Sequence, residues 1–129
     1  ILLIGFGAKA QVSFSTNSTY KYLKGTDAKS LGSNWMDSNF DDSNWSTSKA
    51  PFRYGDGNGG TLLSDMQGGY STIYLRSEFD VQTASQIKEI TLRADYDDGF
   101  VAFLNGQEIA RNLRLLICGN LPNNLLRKK

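Results

Sequence analysis

Histidine is absent from the sequence and cysteine occurs once. These two absences remove Ser-His and Cys-His nucleophile pairs, His-ligated zinc and any intrachain disulfide, and most familiar enzyme mechanisms go with them. No apolar run approaches the roughly 20 residues that a spanning helix needs. No segment keeps a helical apolar period beyond a turn or two, so helix-built folds have no basis in the sequence. What is present fits a single domain. The chain has 129 residues and 14.3 kDa, is 40% hydrophobic and 21% charged, and is long enough to bury a core without disulfide or metal support. That composition reads as a soluble globular chain.

From residue 111 onward there is no acidic side chain, whereas five of the 14 basic residues (Arg111, Arg114, Arg127, Lys128 and Lys129) fall there. Residues 1–110 therefore hold nine basic against all 13 acidic side chains, a net charge of −4. A nucleic-acid-binding face needs Lys and Arg clustered on the folded surface, and this mildly acidic body does not supply them. DNA and RNA are set aside as partners.

The opening residues, ILLIGFGAKA, lack an initiator Met and a charged leader. Gly5, Gly7 and Ala10 match the G-x-G-x-x-A dinucleotide turn, but that turn works only with a helix N-terminus under the pyrophosphate. Residues 11–19, QVSFSTNST, carry no helical period. The favoured reading is the end of a secretory signal: a short apolar stretch, then Ala8 and Ala10 as an A-x-A cleavage pattern, with Gln11 starting the mature chain. On this reading residues 1–10 are the end of a signal peptide, residues 11–17 a linker, and the protein is secreted, periplasmic or on the cell surface. One thiol neither supports nor opposes an oxidising compartment.

Tyr20, Tyr22 and Leu23 suggest a first strand after the linker. Trp35, Phe40 and Trp45 then sit among Gly, Asn, Asp and Ser in a stretch that reads as ordered loop, because rings at that density need packing partners. Residues 71–81, STIYLRSEFDV, alternate as a half-buried strand, with Ile73, Leu75, Phe79 and Val81 inward and Tyr74, Arg76, Glu78 and Asp80 outward. Residues 88–96 repeat the pattern, with Ile90, Leu92, Ala94 and Tyr96 inward. Residues 100–104 form another strand. Asn105-Gly106 follows it, a strong hairpin signal because both residues accept the positive φ of a type I′ turn, and residues 107–111 return. Successive strands with one wet face point to an antiparallel sandwich.

Several motif matches have bland explanations. Residues 55–60, GDGNGG, satisfy G-x-G-x-x-G but lead into no helix, and read as a tight loop. Ser46 and Lys49 satisfy S-x-x-K, yet Pro51 cuts off the helix that would stack them. Asp56, Asn58 and Asp65 approximate an EF-hand loop but lack its invariant glycine and its terminal Glu. Asp95, Asp97, Asp98 and Gly99 read first as a turn, with aspartates bonding local N–H groups and Gly99 taking unusual dihedrals. Their second reading is functional: a hydroxyl-binding rim, or a calcium site made by Asp95, Asp97 and Asp98. Adjacent strand residues point to opposite faces, so Asp97 and Asp98 do not form the facing carboxylate pair of a glycosidase.

The pieces SNWMDSNFDDSNW, APFRYGDG, IYLRSEFDV and YDDGFVAFLNGQEIAR, in that order, resemble a galactose-binding-domain-like jelly-roll module of secreted bacterial multidomain proteins. The resemblance covers residues 18–111, with DDGFVAFLNG its most specific piece. It implies a β-sandwich of eight or so strands, non-catalytic, attached to an enzyme or to a cell surface. After Arg111 the chain departs from that pattern: residues 112–129 bring six leucines, the lone cysteine and no acid. A frameshift or truncation would produce such a tail, and so would a natural basic amphipathic segment. The first of these would leave the sandwich incomplete at its C-terminus.

The fold expectation is therefore all-β, and the functional expectation is an accessory module without chemistry of its own that binds a glycan or a cell-surface polysaccharide. Sugar recognition sets an aromatic face on C–H patches and oriented polar groups on hydroxyls. The loops offer Trp35, Trp45 and Tyr54 as rings, and Asp56, Arg76 and Asp97 as polar partners. The competing expectation is a structural spacer inside a larger extracellular enzyme, such as a phosphoesterase or glycoside hydrolase. A binding module leaves at least one of those rings exposed beside convergent polar groups, whereas a spacer buries them.

Overall fold

A computed structural model describes residues 18–79 and 92–113, together with the backbone at 3–4 and 12–13; at 113, too, only the backbone is described. Regular structure in it is almost entirely strand. Among the described residues nine short strands run in chain order: β1 (Leu3–Ile4), β2 (Val12–Ser13), β3 (Thr19–Lys24), β4 (Ser46–Lys49), β5 (Phe52–Arg53), β6 (Thr61–Leu62), β7 (Ile73–Arg76), β8 (Gly99–Leu104) and β9 (Gln107–Leu113). The only helical segments among the described residues are two 3-10 turns, Gly25–Ser30 and Ser33–Met36. The all-β expectation holds at that level. Most of the expected signal peptide, linker and tail lies outside the described residues, as do positions 80–91 of the two expected strands there.

The centre of the fold is a three-stranded antiparallel sheet in the order β4-β3-β7. Its register sets its faces, because directly opposed residues project to the same side. Tyr22 lies opposite Ser46 and Leu75, while Lys21 lies opposite Thr47 and Arg76. One face therefore carries Tyr20, Tyr22, Lys24, Ser48 and Leu75, and the other carries Lys21, Leu23, Tyr74 and Arg76.

The segment 52–70 covers the first face. Phe52 packs edge-on to Tyr20 at 6.2 Å and tilted on Tyr22 at 5.2 Å. The Thr61 hydroxyl donates to Ser48 Oγ at 2.6 Å, and Lys24 Nζ donates to Asp65 Oδ2 at 2.7 Å. Asp65 also accepts from the Tyr70 hydroxyl at 3.0 Å. The ammonium–carboxylate hydrogen bond raises the Lys24 pKa and lowers that of Asp65. Burial pushes the Tyr20 hydroxyl up.

Loop 34–45 covers the second face. Trp35 meets Tyr74 edge-on at 5.2 Å, stacks beside Trp45 at 6.3 Å and meets Phe103 of β8 edge-on at 5.6 Å. Phe40 closes on Trp45 at 5.8 Å. Ring pairs of this kind add about 1 kcal/mol each beyond the area they bury, so the loop is pinned by its aromatics. The buried hydrophobic side chains among the described residues are Tyr20, Trp45 and Leu63, and each keeps a few per cent of its surface in contact with solvent. The ordered-loop expectation for this stretch is borne out.

Three expectations need correction. Strand β7 spans only Ile73–Arg76, and the expected split into an inward and an outward face does not hold: Leu75 is 39% exposed, while Ile73, Tyr74 and Arg76 are all half-buried. The cause is that both sheet faces are covered, one by apolar rings and one by a mixed polar and aromatic layer, so alternation did not mark a wet side. Residues 92–96 are not strand, and Tyr96 is 43% exposed. Finally, not every pair is antiparallel. Strands β5 and β6 run parallel, with Phe52 opposite Thr61, because loop 54–60 brings the chain back in its original direction.

That loop is as tight as its glycines suggest. Thr61 N–H donates to the Pro51 carbonyl at 2.8 Å, and Arg53 Nε holds the Gly59 carbonyl at 2.8 Å. Gly60 has φ +62°, and a Cβ there would stand 2.0 Å from the Pro51 oxygen, so no side chain fits. Ser46 and Lys49, on a strand and three residues apart, project to opposite faces, in keeping with a chance S-x-x-K match.

Candidate functional site

The hairpin β8–β9 builds the site. Asn105 and Gly106 have φ of 50° and 82°, the left-handed pair that a two-residue I′ turn requires, and Leu104 pairs with Gln107 across it. The expected hairpin is borne out. The ladder then slips by one: Phe103 pairs with Glu108 but Ala102 pairs with Ala110, leaving Ile109 as the extra residue of a β-bulge. Ile109 is 47% exposed.

The bulge has two consequences for side-chain placement. Glu108 and Arg111, three apart, fall on the same face of β9 and form a two-pronged ion pair. That pair holds the Glu108 carboxyl below its usual range and raises Arg111. The slip also sets Asn112 opposite Phe100, where its side-chain amide donates to the Tyr96 hydroxyl. Tyr96 in turn packs on Phe100, with ring centroids 4.6 Å apart.

Between these groups lies a pocket of about 280 Å³ lined by Tyr96, Asp97, Asp98 and Asn112. Its floor is a turn of the kind expected from the sequence: Asp97 Oδ1 accepts the Asp98 N–H at 3.0 Å, and the Asp97 carbonyl accepts the Gly99 N–H at 3.0 Å. The strained residue is not Gly99 but Asp98, at φ +67°, a region that Asp tolerates because its short polar side chain bonds locally. Gly99 instead opens β8. The pocket thus offers an exposed phenol ring, two carboxylates that accept, and an amide that donates and accepts.

The expected site residues fall in three places. Asp97 lines the pocket. Trp35, Trp45 and Arg76 belong to the layer over the sheet, where Arg76 Nε donates to Asp42 Oδ2 at 2.9 Å and its Nη1 reaches the carbonyls of Trp35 and Asp37. Tyr54, 49% exposed, and Asp56 stand in the glycine loop. Of the expected metal ligands, Asp97 and Asp98 line the pocket and Asp95 does not. Among the described residues, no three acidic or thiol side chains gather as a metal-binding group.

The sequence pattern does not mark Tyr96 or Asn112 as site residues. Tyr96 fitted an inward strand position, and Asn112 comes into place only through the bulge. A signal for Tyr96 does exist, in that it stands within the acidic DYDDG turn immediately before the hairpin. No protein-family model, curated protein or solved structure matches the chain.

Proposed function

We propose that this chain is a non-catalytic accessory module that binds carbohydrate through the pocket of Tyr96, Asp97, Asp98 and Asn112. The observation that carries the reading is the exposed Tyr96 ring standing beside two carboxylates and an amide in one concave polar site. Carboxylates and amides fix sugar hydroxyls, and a ring face covers the C–H patches between them. The proposal includes the finer architecture, a galactose-binding-like jelly roll, which rests on the sequence pieces that resemble that family and is compatible with the strand-rich fold. It also includes export, resting on Ala8 and Ala10, and a place beside other domains of an extracellular protein. No metal is part of the proposed site.

The test is titration of the purified chain against a glycan array and soluble polysaccharides. Binding should fall at least tenfold on Tyr96→Ala and on Asp97→Ala, with the fold checked by circular dichroism. Binding that survives both substitutions overturns this site.

A second reading, a structural spacer, is favoured by one observation: Trp35, Trp45 and Arg76 are all engaged in packing loop 34–45 onto the sheet. Failure to bind any glycan selects it.

A further inference from the structure

A second cleft, of about 380 Å³, opens where strands β3 and β4 part, lined by Tyr22, Leu23, Lys24, Asp27, Asn44 and Ser46. Its position follows from strand lengths. Strand β4 pairs with β3 only as far as Tyr22, which lies opposite Ser46, whereas β3 continues through Leu23 and Lys24 with β7 alone beside it. The chain leaves β4 backward through Asn44, and the 3-10 turn Gly25–Ser30 brings Asp27 to the far wall. The notch between them is the cleft.

Its chemistry repeats that of the hairpin pocket. Each site has one tyrosine, aspartate and an asparagine amide. The notch adds the Ser46 hydroxyl and the Lys24 ammonium, which has two N–H groups left after its bond to Asp65. Its charge is simple to assign: Asp65 at 2.7 Å offsets Lys24, which leaves Asp27 as the uncompensated charge of the lining. An acidic glycan would meet that carboxylate, while the one cation of the lining, Lys24, already has its charge offset by Asp65. A volume of this size suits one or two sugar rings.

We infer that the β3–β4 notch is a second saccharide subsite, selective for neutral sugars over uronates, so that the module engages a polysaccharide at two points. This rests on the carbohydrate reading of the hairpin pocket. Two weak sites on one rigid chain raise the affinity for a polymer well above that for a short sugar, because the second contact is intramolecular.

The experiment uses the full chain, labelled with ¹⁵N, titrated with lactose, cellobiose and a digalacturonate, followed by polymer binding on immobilised neutral polysaccharide. The expected result is two groups of shifting amides, one around residues 22–27 and 44–46 and one around 96–99 and 112, with the neutral disaccharides only. Asn44→Ala with Ser46→Ala should remove the first group, keep the second, and lower polymer affinity at least tenfold. Asp27→Asn, a milder change on an exposed residue, should weaken the first group alone. Shifts confined to residues 96–112, or polymer affinity within twofold of the parent in the double variant, overturn the second subsite while leaving the first standing. Digalacturonate shifting the notch as strongly as lactose also overturns the inference, and no shift with any sugar overturns the reading beneath it.

Discussion

The Arg76 guanidinium meets Asp42 Oδ2 at 2.9 Å, the carbonyls of Trp35 and Asp37, and the face of Phe40 at 5.3 Å. Its side chain is 10% exposed and that of Asp42 20%, so the pair is largely withdrawn from water. Removing one partner of such a pair leaves a charge and two carbonyls without their donor, at a cost of about 3 kcal/mol. Arg76→Ala should therefore lower the urea unfolding free energy by about that amount, and Arg76→Lys should recover only part of it, because an ammonium lacks the planar fork that serves three oxygens. A loss under about 0.5 kcal/mol would make the contact an ordinary surface pair. This residue also explains why a sequence reading places it among ligand groups. Arginine in an alternating strand looks outward by pattern, and nothing local announces that a loop 34 to 41 positions earlier will cover it.

The hairpin β8–β9 is the element most directly written in the sequence, since Asn105-Gly106 fixes both turn type and initial pairing. Gly106 is required by its φ of +82°; a Cβ there would also stand 2.8 Å from Asp37 Oδ1, the tip of a side chain that can turn aside. Gly106→Val should cost about 2 kcal/mol through backbone strain, seen as a lower melting temperature and weaker amide protection across β8 and β9. An unchanged melting temperature would count against the turn. Strand β3 was equally legible, from Tyr20, Tyr22 and Leu23. The bulge at Ile109 was not, because one extra residue in a ladder has no signature in hydrophobic alternation, yet it decides which face Arg111 and Asn112 occupy. Half of the candidate pocket was therefore readable, as the acidic turn, and half was hidden in a register shift. Likewise the parallel β5–β6 pair depends on the path of loop 54–60, which local propensity does not encode.

Across the whole molecule, charge separates along the chain: residues 1–110 carry a net −4, and from 111 onward the chain carries five basic side chains and no acid. An acidic body accumulates divalent cations through its field alone, so a response to calcium has two physical sources that must be told apart. A bound calcium takes six to eight oxygens at short range. The pocket presents two carboxylates, one of whose oxygens already accepts the Asp98 N–H, and an amide tied to Tyr96. Sugar hydroxyls, which need individual acceptors and donors rather than a closed oxygen shell, are the better match. Glycan binding should accordingly persist in EDTA. Any rise in melting temperature with millimolar calcium should be reproduced by magnesium, or by sodium chloride at equal ionic strength, since screening does not distinguish them. A calcium-specific rise that disappears on Asp97→Ala would instead make the acidic turn a metal site. If glycan binding then required calcium, the carboxylates would act on the sugar through the ion and not directly.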